Sequence, residues 1–281
     1  GLSIQEALQQ ASSFLGDDFE AEFLLRQLLS VDRARFFMML QEPFPKDLWE
    51  KWQEWLMRRK KQEPLQYIVG DQAFYGRLFQ VDPRVLIPRP ETEGLVELVL
   101  TYVEQRWVNE PLTMVDVGTG SGCIAITLAL ERKNTQLFAI DISSRALKVA
   151  RANAQKHKVA SRIGFRQGFF LEPVLGESFQ VLISNPPYIP SQVVPTLETQ
   201  VAKYEPHLAL DGGEDGLFPY RVMAEQLRRC IRVDRRLIAL EIGAEQGKDV
   251  VGIFRDVPGV SEIKVHQDYA GRDRYILAWC C

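Results

Sequence analysis

Between residues 113 and 242 the chain alternates short apolar runs with helical patterns, and this alternation limits the possible folds more than any other feature. Strand-like runs occupy 113–117, 137–140, 163–166, 181–184 and 237–242, while helical stretches at 124–130 and 146–154 separate the first three. Parallel neighbours in a sheet need crossover connections, which such helices supply. The pattern therefore predicts an α/β fold, a parallel sheet with helices on both faces. Two later runs, 263–265 and 275–279, flank Gly271 and predict a hairpin that closes one sheet edge.

The first run, Met114-Val115-Asp116-Val117, passes directly into Gly118-Thr119-Gly120-Ser121-Gly122 at the head of a helix. Ligands of open α/β sheets bind at this carboxyl edge, and glycines let the backbone approach them closely. A dinucleotide fingerprint requires glycine or alanine where this chain has Cys123, which disfavours NAD. Asp141 ends the next strand about twenty residues on, where a carboxylate accepts the ribose hydroxyls of a nucleoside. Taken alone it reads also as a helix N-cap ahead of Ser143 and Ser144. Together, loop and carboxylate point to a nucleoside without a pyrophosphate.

The run 181–184 ends in Asn185-Pro186-Pro187-Tyr188, where the double proline stops the strand and holds the backbone extended. By itself this is also what a rigid turn looks like. Behind a GxGxG loop and an acidic second strand, however, it resembles the signature of amino-methyltransferases. An amide nitrogen is a poor nucleophile because its lone pair is delocalised, so it must be oriented and its developing charge stabilised. The Asn185 side-chain oxygen and the Pro186 carbonyl are acceptors suited to two N–H bonds, with the Tyr188 ring expected against the flat amide. No titrating general base is required.

Ahead of this region the first seventy residues read as short helices. Ser3 and Glu6 have capping-box spacing, and Leu48, Trp49, Trp52, Trp55 and Leu56 form a stripe expected in a core. Arg58, Arg59, Lys60 and Lys61 read as the solvated end of that helix. Residues 73–81 read as a hairpin turning at Gly76, followed by a helix from about Thr92 carrying Leu95, Val96, Leu98, Val99 and Val103. A net charge of -3 lacks the basic footprint of nucleic-acid binders. No apolar run approaches the roughly 20 residues of a membrane span, and the start at Gly1 lacks a leader-like pattern. The four cysteines form no CxxC pair and flank no histidine, so neither a metal nor an oxidising compartment is expected. Cytoplasmic residence is the expectation.

Four further segments, Glu63-Pro64-Leu65-Gln66-Tyr67-Ile68-Val69-Gly70, 86–93 (LIPRPETE), 205–216 (EPHLALDGGEDG) and Glu241-Ile242-Gly243, flank the two motifs. With them, nearly the whole chain resembles the HemK/PrmC-type protein-(glutamine-N5) methyltransferases, which act on the GGQ glutamine of peptide-chain release factors. The resemblance implies a seven-stranded, Rossmann-like class I methyltransferase domain at 91–281, a hairpin linker at 71–90 and a helical substrate-recognition domain at 1–70. It implies S-adenosylmethionine as cofactor, held by Gly118, Thr119, Gly120, Ser121, Gly122, Asp141, Phe170 and Asn185. The glutamine would enter beside Asn185, Pro186, Pro187 and Tyr188, of which Asn185, Pro186 and Tyr188 serve catalysis. Phe169 stands where the family usually has an acidic residue, so adenine hydrogen bonds there would come from backbone. Phe170 would lie against the adenine, although a core phenylalanine looks the same in sequence. The implied partner is a release factor, with no membrane and no direct nucleic-acid requirement. The alternative reading is an N-methyltransferase of DNA or RNA bases, which share the NPPY chemistry on a flipped base.

Overall fold

A computed structural model describes all of residues 1–281. The chain divides into two units, one made of Gly1–Asp71 with Glu198–Tyr204, the other of Gln72–Leu197 with Glu205–Cys281.

The first unit is helical: α1 (Ile4–Leu15), α2 (Asp18–Leu29), α3 (Arg33–Met38), α4 (Trp49–Lys60) and α5 (Leu65–Val69). The Ser3/Glu6 capping box starts α1, and Asp17 and Asp32 cap α2 and α3, satisfying backbone donors that would otherwise lack partners. Trp52 and Trp55 are buried with Leu24, Leu25 and Phe36, so the aromatic stripe is core. The expected solvated helix end is not found at Arg59, which is 9% exposed. Its guanidinium grips Glu20 through Nη2 at 2.6 Å and Nε at 3.0 Å, and Nη1 donates to the Glu63 carbonyl and Gln200. A planar five-donor fork can be buried when each face finds an acceptor, and the sequence run of four cations conceals which one does so. Gln200 lies in the one-turn helix Thr199–Ala202, the segment that returns to this unit from far along the chain.

The second unit opens with the hairpin of β1 (Asp71–Phe74) and β2 (Arg77–Gln80). Tyr75 and Gly76 both have positive φ, 51° and 77°, the combination that matches the twist of paired strands. Then come α6 (Pro90–Arg106), β3 (Leu112–Val117), α7 (Cys123–Glu131), β4 (Thr135–Asp141), α8 (Ser144–Lys156), β5 (Ile163–Gln167) and β6 (Val181–Ser184). The remainder is α9 (Phe218–Leu227), β7 (Arg236–Glu241), α10 (Gly247–Arg255), β8 (Val260–Gln267) and β9 (Asp273–Cys280). Helix α6 begins two residues before the expected Thr92, because Pro90 suits a first helical position whose N–H would have no partner.

One seven-stranded sheet has the order β5-β4-β3-β6-β7-β9-β8. Its first five strands are parallel, and β9 runs antiparallel between β7 and the edge strand β8. Strands β8 and β9 extend beyond their apolar runs, since β8 is half-exposed and places Glu262 and Lys264 within the strand. Leu95, Val96, Val99 and Val103 of α6 pack with Met114, Leu137 and Leu237 in one core. Tyr220, Met223 and Leu227 of α9 and Val250 and Phe254 of α10 join Val115, Leu182 and Ile238 in another. Each such fully buried aliphatic side chain contributes roughly 1.5–3 kcal/mol, which makes the sheet a rigid base for whatever leaves its edge. The chain reverses direction of travel across the sheet between β3 and β6, whose carboxyl ends carry the glycine loop and the NPPY turn. No helix is long and apolar enough to cross a membrane.

Candidate active site

A cavity of about 310 Å³ opens at the carboxyl ends of β3, β4 and β6. Gly118, Thr119, Gly120 and Ser121 form one wall, and the three glycines of the loop have φ of 75°, 54° and 85°, a region costly for other residues. A Cβ on Gly122 would stand 2.9 Å from Ile126 Cδ1 and 3.2 Å from Ala150 Cβ, so this glycine also permits close approach of α7 and α8. Asp116, wholly buried beneath the loop, accepts from Thr119 Oγ1 at 2.8 Å and from the Ala125 N–H at 3.2 Å. Burial pushes its carboxyl up to about 7, against the lowering effect of those bonds.

Asp141 lines the same cavity. Its Oδ2 accepts from the Gly120 N–H at 2.9 Å and its Oδ1 from the Ser143 N–H at 3.0 Å, which fixes the carboxylate plane and ties the loop to β4. Burial raises its pKa and these backbone bonds lower it. The N-cap of α8 is Ser143, whose side chain accepts from Ala146, so capping does not account for Asp141. Phe170 lines the cavity with φ of 55°, unusual for an aromatic residue. Gln226 holds that backbone, accepting from the Leu171 N–H and donating to the Phe169 carbonyl. Asp141→Ala should weaken S-adenosylmethionine binding by roughly 1–3 kcal/mol, the range for unpaired polar groups, as read by calorimetry. Unchanged affinity would remove Asp141 from the nucleoside site.

At the end of β6, Ser184 Oγ donates to the Val117 carbonyl at 2.7 Å and joins the two motif-bearing strands. Asn185, Pro186 and Pro187 line the cavity, whereas Tyr188 is not part of its lining. The Tyr188 hydroxyl instead lies 3.4 Å from Glu241 Oε2, and burial pushes its pKa up to about 12. Asn185 Nδ2 donates to Thr92 Oγ1 at 3.3 Å, and Thr92 Oγ1 donates to Glu241 Oε1 at 2.7 Å. Glu241 is buried at the end of β7, and desolvation pushes it up to about 7 although Thr92 and Arg274 favour its charged form. Residues 212–216 support the turn from behind. A Cβ on Gly212 would meet Tyr188 Cα at 2.8 Å and the Pro187 carbonyl at 2.9 Å, while Gly216 faces the Tyr188 carbonyl. Gln246 Nε2 donates to both the Tyr188 and Gly216 carbonyls. On another wall, buried Glu205 accepts from the Ile87 N–H and from both Arg89 terminal nitrogens, anchoring the 86–89 strap that lines the cavity.

Of the expected cofactor residues, Gly118, Thr119, Gly120, Ser121, Asp141, Phe170 and Asn185 line one cavity, together with Pro186 and Pro187 of the NPPY turn, whereas Gly122 lies outside the lining, against Ile126 and Ala150. Sequence reading gave no role to Thr92, Glu241, Glu205, Gly212, Gly216 or Gln246. The first five lie in the segments that flank the motifs, but nothing local to Thr92 indicates a partner 149 residues away.

Sheet order and cavity define a class I S-adenosylmethionine-dependent methyltransferase. The lining fits S-adenosylmethionine in its chemistry, since glycine backbone at 118 and 120, the Asp141 carboxylate and the Phe170 ring all border one cavity. Release factor glutamine methyltransferases of Moorella thermoacetica and Bacillus subtilis are 43% and 39% identical to this chain, over 92% and 98% of it and 90% and 97% of their own lengths. The chain belongs to the release factor glutamine methyltransferase family. Residues 6–70 match the PrmC N-terminal domain model and residues 97–213 the methyltransferase small domain model. Among solved structures, the N-terminal domain of human METTL16 in complex with SAH has the same fold, with 17% identity over 80% of this chain and 78% of that one and a TM-score of 0.50. The alternative of a nucleic-acid base methyltransferase is not favoured, because full-length similarity is to the release-factor enzymes.

Proposed function

We propose that this protein transfers a methyl group from S-adenosylmethionine to the side-chain nitrogen N5 of the glutamine in the GGQ motif of release factors. The observation that carries this reading is the presence of Asn185 and Pro186 in the cavity that also holds the glycine loop and Asp141. When bound, the cofactor supplies an electrophilic methyl group on a sulfonium. Asn185 Oδ1 and the Pro186 carbonyl accept the two N–H bonds of the glutamine amide, which turns the nitrogen lone pair toward the methyl group. The same acceptors stabilise positive charge as the bond forms, and the surplus proton leaves afterward to water.

Residues 1–70 serve as the recognition domain for the release factor, 71–90 as the hairpin linker and 91–281 as the methyltransferase domain. The first boundary is supported by the separate helical unit, which ends at Asp71, and by the location of every cavity residue after position 83. Termination factors work in the cytoplasm, which places the enzyme there, and the reaction needs no nucleic acid. Mass spectrometry of a release factor incubated with the protein and S-adenosylmethionine should show one added methyl on the GGQ glutamine. A methyl group on another residue, or none, would refute the assignment.

A further inference from the structure

We propose that Thr92 and Glu241 are positioning residues that hold the Asn185 amide with its oxygen toward the methyl acceptor, the ionised state of Glu241 setting that polarity. This deepens the reading above and rests on it. The argument is one of donors and acceptors. Ionised Glu241 only accepts, so Thr92, 2.7 Å away, must give it the single hydroxyl proton. Thr92 Oγ1 is then an acceptor toward Asn185, and the Asn185 atom at 3.3 Å must be the Nδ2 amide. Oδ1 is left to face the cavity, where an acceptor is needed.

A protonated Glu241 reverses the chain. Its O–H donates to Thr92 Oγ1, the Thr92 proton turns to Asn185, and the amide is favoured with its oxygen on Thr92 and its NH₂ toward the substrate. Two donors then face each other and the nitrogen is no longer held. The surroundings place the change within reach of neutral pH. Glu241 is faced by Glu91 and Thr92 of α6, Cys123 of α7, Tyr188 after β6, Tyr220 of α9, and Arg274 and Tyr275 of β9. Burial dominates and lifts it to about 7, with Glu91 adding to the rise and Thr92, Arg274 and Tyr188 opposing it.

Three variants test the relay: Thr92→Val, Thr92→Ser and Glu241→Gln, each first shown to bind S-adenosylmethionine. With saturating cofactor and a release factor, Thr92→Val should lower kcat about tenfold while cofactor affinity stays within about twofold, and Thr92→Ser should restore kcat. Wild-type kcat should fall on the acid side of a midpoint near neutrality, and Glu241→Gln should lack that limb. A substrate-independent readout is the 15N resonance of the Asn185 side chain with S-adenosylhomocysteine bound, which should titrate over the same range in wild type and stay flat in Glu241→Gln. Wild-type kcat in Thr92→Val, an acid limb that persists in Glu241→Gln, or an Asn185 resonance indifferent to pH would overturn the relay. A wild-type enzyme that leaves the release factor unmodified would instead overturn the proposed function, while the resonance would still judge the relay.

Discussion

Asn185→Ala should reduce turnover on a release factor by about 100-fold or more while cofactor affinity changes little. The side chain lines the cavity and supplies one of two acceptors for the glutamine nitrogen, and loss of one preorganised polar group at a reacting centre has effects on that scale. Alanine adds no bulk, so the glycine loop and Asp141 should still hold S-adenosylmethionine. Asn185→Asp keeps an acceptor and should nevertheless be impaired. It loses the amide donation to Thr92, and its negative charge beside the sulfonium stabilises a reactant charge that methyl transfer disperses. Single-turnover methylation with saturating cofactor separates these effects. Near wild-type rates for both variants would make the NPPY turn a structural element and end the mechanism proposed for it.

Gly216→Ala should be nearly as damaging, although the residue does not line the cavity. Its φ is 78°, so any side chain is strained, and a Cβ would come within 2.5 Å of the Tyr188 carbonyl and 2.9 Å of Gln246 Nε2. The carbonyl belongs to backbone that prolines stiffen on one side and Gln246 grips on the other, so it cannot yield cheaply. A displacement approaching 1 Å at Asn185 and Pro186 would cost kcat about 100-fold. Gly176→Ala, a glycine with nothing within 4 Å and no positive φ, is the control that should behave as wild type. If Gly216→Ala kept full kcat, residues 212–216 would not be what sets the geometry of the turn.

Much of what lines the cavity was legible in the sequence, and the reason differs from one element to the next. Gly118, Gly120 and Gly122 stand out because left-handed backbone and close helix approach leave few other residues possible, so a physical need is written directly as a residue type. Asp141 required a strand boundary as well, and the structure separates it from the capping role by giving that role to Ser143. Tyr188 shows the limit of motif reasoning: its place in the motif is local, but the direction of its ring is set by the space beside Glu241. Arg59 shows the same limit among charges. Four cations in a row look alike, and only the folded partners Glu20, Glu63 and Gln200 distinguish the buried one.

By itself the sequence determined the α/β alternation, the strand that feeds the glycine loop, the double proline that ends β6 and the helical character of residues 1–70. These follow from hydrophobic period, capping and backbone restriction, all of which act over a few residues. The tertiary structure alone decided that Thr92 meets Glu241, that Glu205 receives Ile87 and Arg89, and that residues 198–204 return to the helical unit. Such pairings join side chains more than a hundred residues apart, and their energy depends on burial and on the removal of water, neither of which exists until the sheet has formed.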